Sequence, residues 1–143
     1  MIEEHKIFLN TNLSQVQTAK ILAQKLETSL DYLIYNIKRY KVPVVMVMFY
    51  TQNDIGKELE ANKRLTDILI TVKVGDSYFN IVFLPFTELL ESYNFIKHVE
   101  YDKLNDTKNY YHHDMLSEHT NDYFNFINSY LFAIAQKSEQ NDT

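Results

Sequence analysis

Apolar side chains recur along residues 13–41 at Val16, Ala19, Ala23, Leu26, Leu30, Leu33, Ile37 and Tyr40, with spacings that alternate three and four without a slip. This period predicts one long helix. Thr11 or Asn12 offers the short side-chain oxygen that caps a first turn. The same spacing is the seam of a coiled coil, so a homodimer through Ala23, Leu26, Leu30, Leu33 and Ile37 is expected. Leu22 and Ile34 widen the stripe, and the flanking Gln15, Ser29 and Asn36 carry no charge code. A wide stripe marks a helix lying on a domain core. Both uses of the face remain open at this point.

The period then changes. Val44 to Tyr50 is apolar at every position and rich in valine, which predicts a central strand covered on both faces, with Pro43 at its entrance. Asn53-Asp54 caps a short helix over Ile55 to Leu65, with Ile55 and Leu59 on its inner side. Ile68, Ile70, Val72 and Val74 alternate with their neighbours, as do Phe79, Ile81 and Phe83. With Gly75-Asp76-Ser77 between them, these two runs predict an antiparallel hairpin. Thr87 is expected to cap a helix reaching His98, with Leu89, Leu90, Tyr93, Ile96 and Val99 inward.

Residues 100–117 are less patterned. Asn105-Asp106 signals a turn, and an edge strand fits either Val99-Glu100-Tyr101 or Asn109-Tyr110-Tyr111. A last helix over Asn121 to Lys137 would bury Tyr123, Phe126, Ile127, Tyr130, Leu131 and Ile134, followed by a polar, fraying tail. The order of elements predicts an α+β fold of ferredoxin type. Its parts are an N-terminal helix (1–41), a core (42–100), a C-terminal extension with its helix (101–137) and a tail (138–143).

Composition narrows the function. A chain of 143 residues suits a single domain. Two glycines leave little material for a glycine-rich phosphate cradle. Eleven tyrosines and nine phenylalanines point to an aromatic core or an aromatic partner surface. A net charge of −5 argues against non-specific nucleic-acid binding. The absence of cysteine removes disulfide and thiol chemistry. The run Val42 to Tyr50 falls far short of the roughly 20 residues that span a bilayer, and Met1 to Lys6 lacks an apolar signal region. A soluble cytoplasmic protein without a membrane partner is expected. His112-His113-Asp114 and His119 are metal-capable, and a metal-dependent hydrolase using the first three is one reading. No metal-ligand spacing is present, however, so a solvated loop is expected there.

Four pieces in order carry a resemblance. Arg39-Tyr40-Lys41-Val42-Pro43 leads into the central run, and Arg64-Leu65-Thr66-Asp67 precedes the hairpin. The hairpin itself reads Lys73-Val74-Gly75-Asp76-Ser77-Tyr78-Phe79, and Leu84-Pro85-Phe86-Thr87 ends it. This set resembles the GGDEF family of diguanylate cyclases over about residues 30–98. The resemblance places the family's metal-binding acids at Tyr50 and Gln52, which cannot replace carboxylates around Mg²⁺. The interval of 13 residues between Tyr50 and Arg64 omits the family's nucleotide helix. In the signature hairpin only Gly75 and Asp76 remain, and the glycine pair is gone. The resemblance therefore implies no enzyme activity, no metal and no cofactor.

Arg64 and Asp67 match the family's inhibitory-site pair, which in active members binds cyclic di-GMP. Without a ligand the same pair would simply cap a helix-to-strand junction. The expected function is a catalytically inactive GGDEF-like regulatory or scaffolding module that acts through protein contacts, its partner unnamed. The alternatives are a cyclic di-GMP receptor through Arg64 and Asp67, and a small acidic binding protein of chaperone or immunity type.

Overall fold

The computed structural model describes residues 14–99 and 110–141. In chain order the elements are α1 (Gln15–Tyr40), β1 (Val44–Thr51), α2 (Gly56–Asn62), β2 (Ile68–Val74), β3 (Ser77–Pro85), α3 (Leu89–Val99), β4 (Tyr110–Met115) and α4 (Tyr123–Asn141). The fold is α+β, and its sheet has the order β2-β3-β1-β4 with every pairing antiparallel. This is the ferredoxin-like arrangement expected from the sequence, with a long helix in front and another behind.

β1 is buried along its whole length because helices cover both sides of the sheet. Val44, Met46, Met48 and Tyr50 join a core with α1 and α4, while Val45, Val47 and Phe49 join a second core with α2 and α3. The two-residue period of a strand divides one apolar run between two cores.

α1 begins at Ser14, in a reciprocal capping box. The Ser14 hydroxyl accepts from the Gln17 amide at 3.2 Å, and the Gln17 side chain accepts from the Ser14 amide at 3.0 Å. Ser14 thus takes the capping role expected of Thr11 or Asn12, which lie outside the described residues. Lys41 ends the helix in a left-handed conformation, φ 54°, with its amide bonded to the Ile37 carbonyl.

The coiled-coil seam is corrected. Leu26 and Leu30 are 0% exposed, Leu33 is buried, and Ala23 and Ile37 pack against the same core. They face the chain's own sheet and α4, so the seam belongs to the chain's own core and its leucines are closed to a second copy. Leu22, also fully buried, and Ile34 are the residues that make the stripe a core-facing one.

α3 presents a different face from the one expected. Ser92, Ile96 and Val99 point inward, with Leu89 and Phe95 partly buried, whereas Leu90 is 82% and Tyr93 40% exposed. The inward stripe runs through a serine, which reads as polar in the sequence. Its hydroxyl is satisfied in place, donating to the Leu89 carbonyl at 2.6 Å and meeting His113 Nδ1 at 2.7 Å.

His112, His113 and Asp114 belong to β4 and not to a solvated loop. His112 pairs with Met48 and His113 with Val47 across β1. The strand falls at the second of the two expected positions, and residues 100–109 lie outside the described ones. α4 continues to Asn141, so the expected tail from Ser138 is largely helical. Tyr130 anchors it, donating to the Met46 carbonyl at 2.8 Å and the Asp114 carbonyl at 3.3 Å.

Candidate functional site

β2 separates the two groups of candidate residues. Arg64 and Asp67 precede its first residue, and Gly75 and Asp76 follow its last. A strand of that length holds them about 23 Å apart, so they form two sites and not one.

At the hairpin end, Gly75 sits at φ 62°, a conformation that favours glycine, and Val74 pairs with Ser77 across the turn. Tyr50 reaches this end from β1. It is 5% exposed, its hydroxyl donates to Ser77 Oγ at 2.9 Å, and its ring lies 5.1 Å from that of Phe79. Burial raises the phenol above its ordinary pKa, so it stays protonated at neutral pH. Tyr110 stands opposite on β4 with its own hydroxyl buried and without a hydrogen-bond partner among the described residues. Gln52 is exposed beyond the strand. The position that the resemblance gives to a metal acid thus holds a neutral, packed phenol, which is no ligand for a hard cation.

At the other end, α2 stops at Asn62 and the chain turns through residues 64–67, closed by the Asp67 amide bonding the Arg64 carbonyl at 3.1 Å. The Asp67 side chain is 1% exposed and that of Arg64 50%. One carboxylate accepts from the Arg64 amide at 2.8 Å, from Nε at 3.0 Å and from Nη2 at 2.7 Å. The same Nη2 donates to the Pro85 carbonyl at 2.7 Å and to Thr87 Oγ1 at 2.9 Å. Thr87 Oγ1 in turn donates to the Pro85 carbonyl at 3.1 Å. Two sequence pieces, Arg64-Leu65-Thr66-Asp67 and Leu84-Pro85-Phe86-Thr87, are therefore locked together in one charge-assisted network. The bond to Asp67 raises the Arg64 guanidinium above its already high pKa, so its charge is permanent.

Thr87 does not cap α3 as expected, because its hydroxyl belongs to this clamp. The Glu88 amide instead donates to Glu91 Oε1 at 3.0 Å. Arg64 and Asp67 come together as expected, but they do not share a solvent face: the guanidinium is half exposed and the carboxylate is closed onto it.

Beside the clamp lies a cleft of about 270 Å³, with Asn62, Arg64, Thr87, Glu91, Asn94 and His98 among its lining residues. Glu91, Asn94 and His98 share one side of α3 at spacings of three and four. That polar stripe was readable in the sequence, but the apolar positions drew the assignment of the helix face.

The histidines of β4 are held by rings and hydroxyls. His113 meets Ser92 and packs edge-on against Tyr93 at 4.5 Å, while His112 packs edge-on against Tyr130 at 4.7 Å. Burial and then the nearby Lys137 ammonium lower both imidazoles below their usual pKa. Among the described residues no group of three or more His, Cys, Asp or Glu is arranged to hold a metal. No described helix is long and apolar enough to cross a membrane.

No protein-family model and no curated protein matches the chain. Its fold is similar to a crystal structure of PelD 158-CT from Pseudomonas aeruginosa PAO1, with a TM-score of 0.52 and 16% sequence identity over 70% of this chain. The match covers 40% of that chain, so this protein corresponds to less than half of it. At this identity the likeness is one of fold.

Proposed function

We propose that this chain is a catalytically inactive GGDEF-like regulatory or scaffolding module that acts through protein contacts. The observation that carries the reading is Tyr50, a buried neutral phenol bonded to Ser77 where the family resemblance calls for a metal-binding acid. Phosphoryl transfer depends on metal charge and positioning, and a packed hydroxyl supplies neither. The clamp supports the same reading, since Arg64 and Asp67 have a structural task that accounts for their presence without a ligand. Incubation with GTP and Mg²⁺ or Mn²⁺ is expected to give no cyclic di-GMP above a protein-free control. Product that vanishes on mutating the hairpin would overturn the proposal.

A second reading, a cyclic di-GMP receptor, is favoured by the polar cleft beside the half-exposed Arg64. A guanidinium there can clamp a phosphate or a guanine edge. Calorimetric titration separates the two. The first reading expects no affinity tighter than high micromolar. A low-micromolar affinity lost in both Arg64→Ala and Asn94→Ala, with fold retained by circular dichroism, would make the chain a receptor.

A further inference from the structure

β2 and β4 are the outer strands of the sheet, and the chain treats them differently. On the β4 side the Leu116 amide bonds the Val44 carbonyl at 2.8 Å, which sets the phase of that ladder. Tyr111, His113 and Met115 therefore turn their amides and carbonyls away from β1. Side chains meet this outer row at both ends. The Lys137 ammonium donates to the Tyr111 carbonyl, and the Met115 amide donates to Asp114 Oδ1 at 2.7 Å. Charged groups placed in this way keep a foreign strand off an edge.

β2 has no such guard. The two-residue turn at Gly75-Asp76 makes Val74 and Ser77 a hydrogen-bonded pair, so by alternation Ile68, Ile70 and Val72 also bond toward β3. Leu69, Thr71 and Lys73 turn their amides and carbonyls outward, and among the described residues no hydrogen bond reaches that row. No proline or bulge interrupts the strand, and its one charge, Lys73, lies 5.8 Å from the Tyr78 ring of β3. Ile68, Leu69 and Ile70 are only half-buried. An uninterrupted edge with open backbone groups and half-covered apolar side chains is a template for one more strand.

Symmetry says which strand. Laid antiparallel on a copy of itself about Thr71, β2 pairs along all 7 of its residues. Thr71 then faces the partner's Thr71, and Leu69 faces the partner's Lys73. These are the outward-turned residues, so each such pair exchanges two backbone hydrogen bonds. On one face Ile70 meets the partner's Val72 and Ile68 the partner's Val74, which extends the apolar row already covered by α1 and α4. On the other face threonine stands beside threonine, a favourable cross-strand pair, and no like charges are opposed. Axes at Leu69 or Lys73 would shorten the overlap, and the second would set lysine against lysine.

We infer that two copies of this chain join through their β2 strands, antiparallel about Thr71, into one continuous sheet. Such a contact is isologous, each copy giving the same edge to the other. The inference goes beyond the protein-contact reading and stands or falls apart from it.

The test combines sedimentation of the full chain over a range of concentrations with amide hydrogen exchange and single cysteines. Wild type should pass from monomer to dimer as concentration rises, and the Leu69, Thr71 and Lys73 amides should gain protection in step. Thr71→Lys sets two cations together on the axis and should stay monomeric with its circular dichroism unchanged. Thr71→Val, which loses the same hydroxyl bond to Asn80, should still dimerise. The chain has no cysteine, so a single one reports the register. Thr71→Cys should cross-link to its copy under mild oxidant, because paired Cα atoms there stand about 5.5 Å apart. Lys73→Cys should not, because its copies lie about 14 Å apart along the strands. A monomer at every concentration, a dimer that Thr71→Lys leaves intact, or equal cross-linking of the two cysteine variants would overturn the inference. Protection of the three amides that does not change with concentration would give the edge to the chain's own sequence instead. Each of these outcomes leaves the protein-contact reading to the GTP assay and the cyclic di-GMP titration.

Discussion

The two ends of the β2–β3 hairpin have opposite characters. At the Gly75 end the chemistry-bearing positions are packed shut, with Tyr50 and Ser77 bonded to each other inside the core and Tyr110 beside them. At the Arg64 end the ionic pair is intact, half exposed, and flanked by a polar cleft and an aromatic one. At the first end the side chains are spent on packing, whereas at the second the ionic pair has a structural task. A matching motif is therefore weaker evidence of ligand binding than it looks. The same bonds that would serve a nucleotide also join two distant pieces of chain.

The sharpest way to break this contrast is to place a carboxylate at the closed end. Tyr50→Asp would leave a cavity and a buried charge together, so a loss of about 3–5 kcal/mol is expected in urea unfolding. Adding Mg²⁺ should not restore it. A melting temperature that rises with Mg²⁺ in this variant would show that the end can assemble a metal site.

The open end should respond less. Arg64→Ala leaves the Asp67 carboxylate enclosed without its partner. With the guanidinium half exposed, a loss of about 1.5–3 kcal/mol is expected. Thr87→Ala, which removes only a neutral link of the network, should lose about 1 kcal/mol. Equal losses for the two variants would mean that the clamp's charge contributes nothing beyond a neutral hydrogen bond.

The smallest effect concerns pH. His112 and His113 take up protons near pH 6.5 when unfolded, but only at lower pH when folded, because burial and Lys137 lower both. Between those values the unfolded chain binds more protons. Stability is thus complete above about pH 6.5 and declines as pH falls through the folded values. His112→Gln combined with His113→Gln should flatten this part of the profile in thermal melts. An unchanged slope would assign the acid sensitivity to other groups.

Much of the fold was legible because its periods are unbroken. The all-apolar run of β1 correctly implied cover on both faces, and the alternating runs around Gly75-Asp76 gave the hairpin. Two faces were misread for physical reasons. A coiled-coil seam and a wide core-facing stripe share their spacing, so Leu26 and Leu30 suggested a partner helix when their partner was the chain's own sheet and α4. In α3 the inward stripe passes through Ser92, whose bond to His113 comes from 21 residues away. The site was legible only in part. Arg64 and Asp67 stood out as a pair, but the Pro85 carbonyl and Thr87 lie 21 and 23 residues further on. No local pattern announces that they complete a clamp.

The meeting of α1 and α4 has a consequence for how the protein is made. Gln15, in the first turn of α1, donates to the side chain of Asn128 at 2.8 Å across 113 residues of sequence. The apolar side of α1 shares its core with Ile127, Tyr130 and Leu131, which leave the ribosome well after the helix they cover. β1 likewise lacks its β4 neighbour until Met115 has emerged. During synthesis the first helix is thus held without its cover until α4 has emerged. Completion of the core therefore waits on contacts of long sequence separation, the slow kind to form.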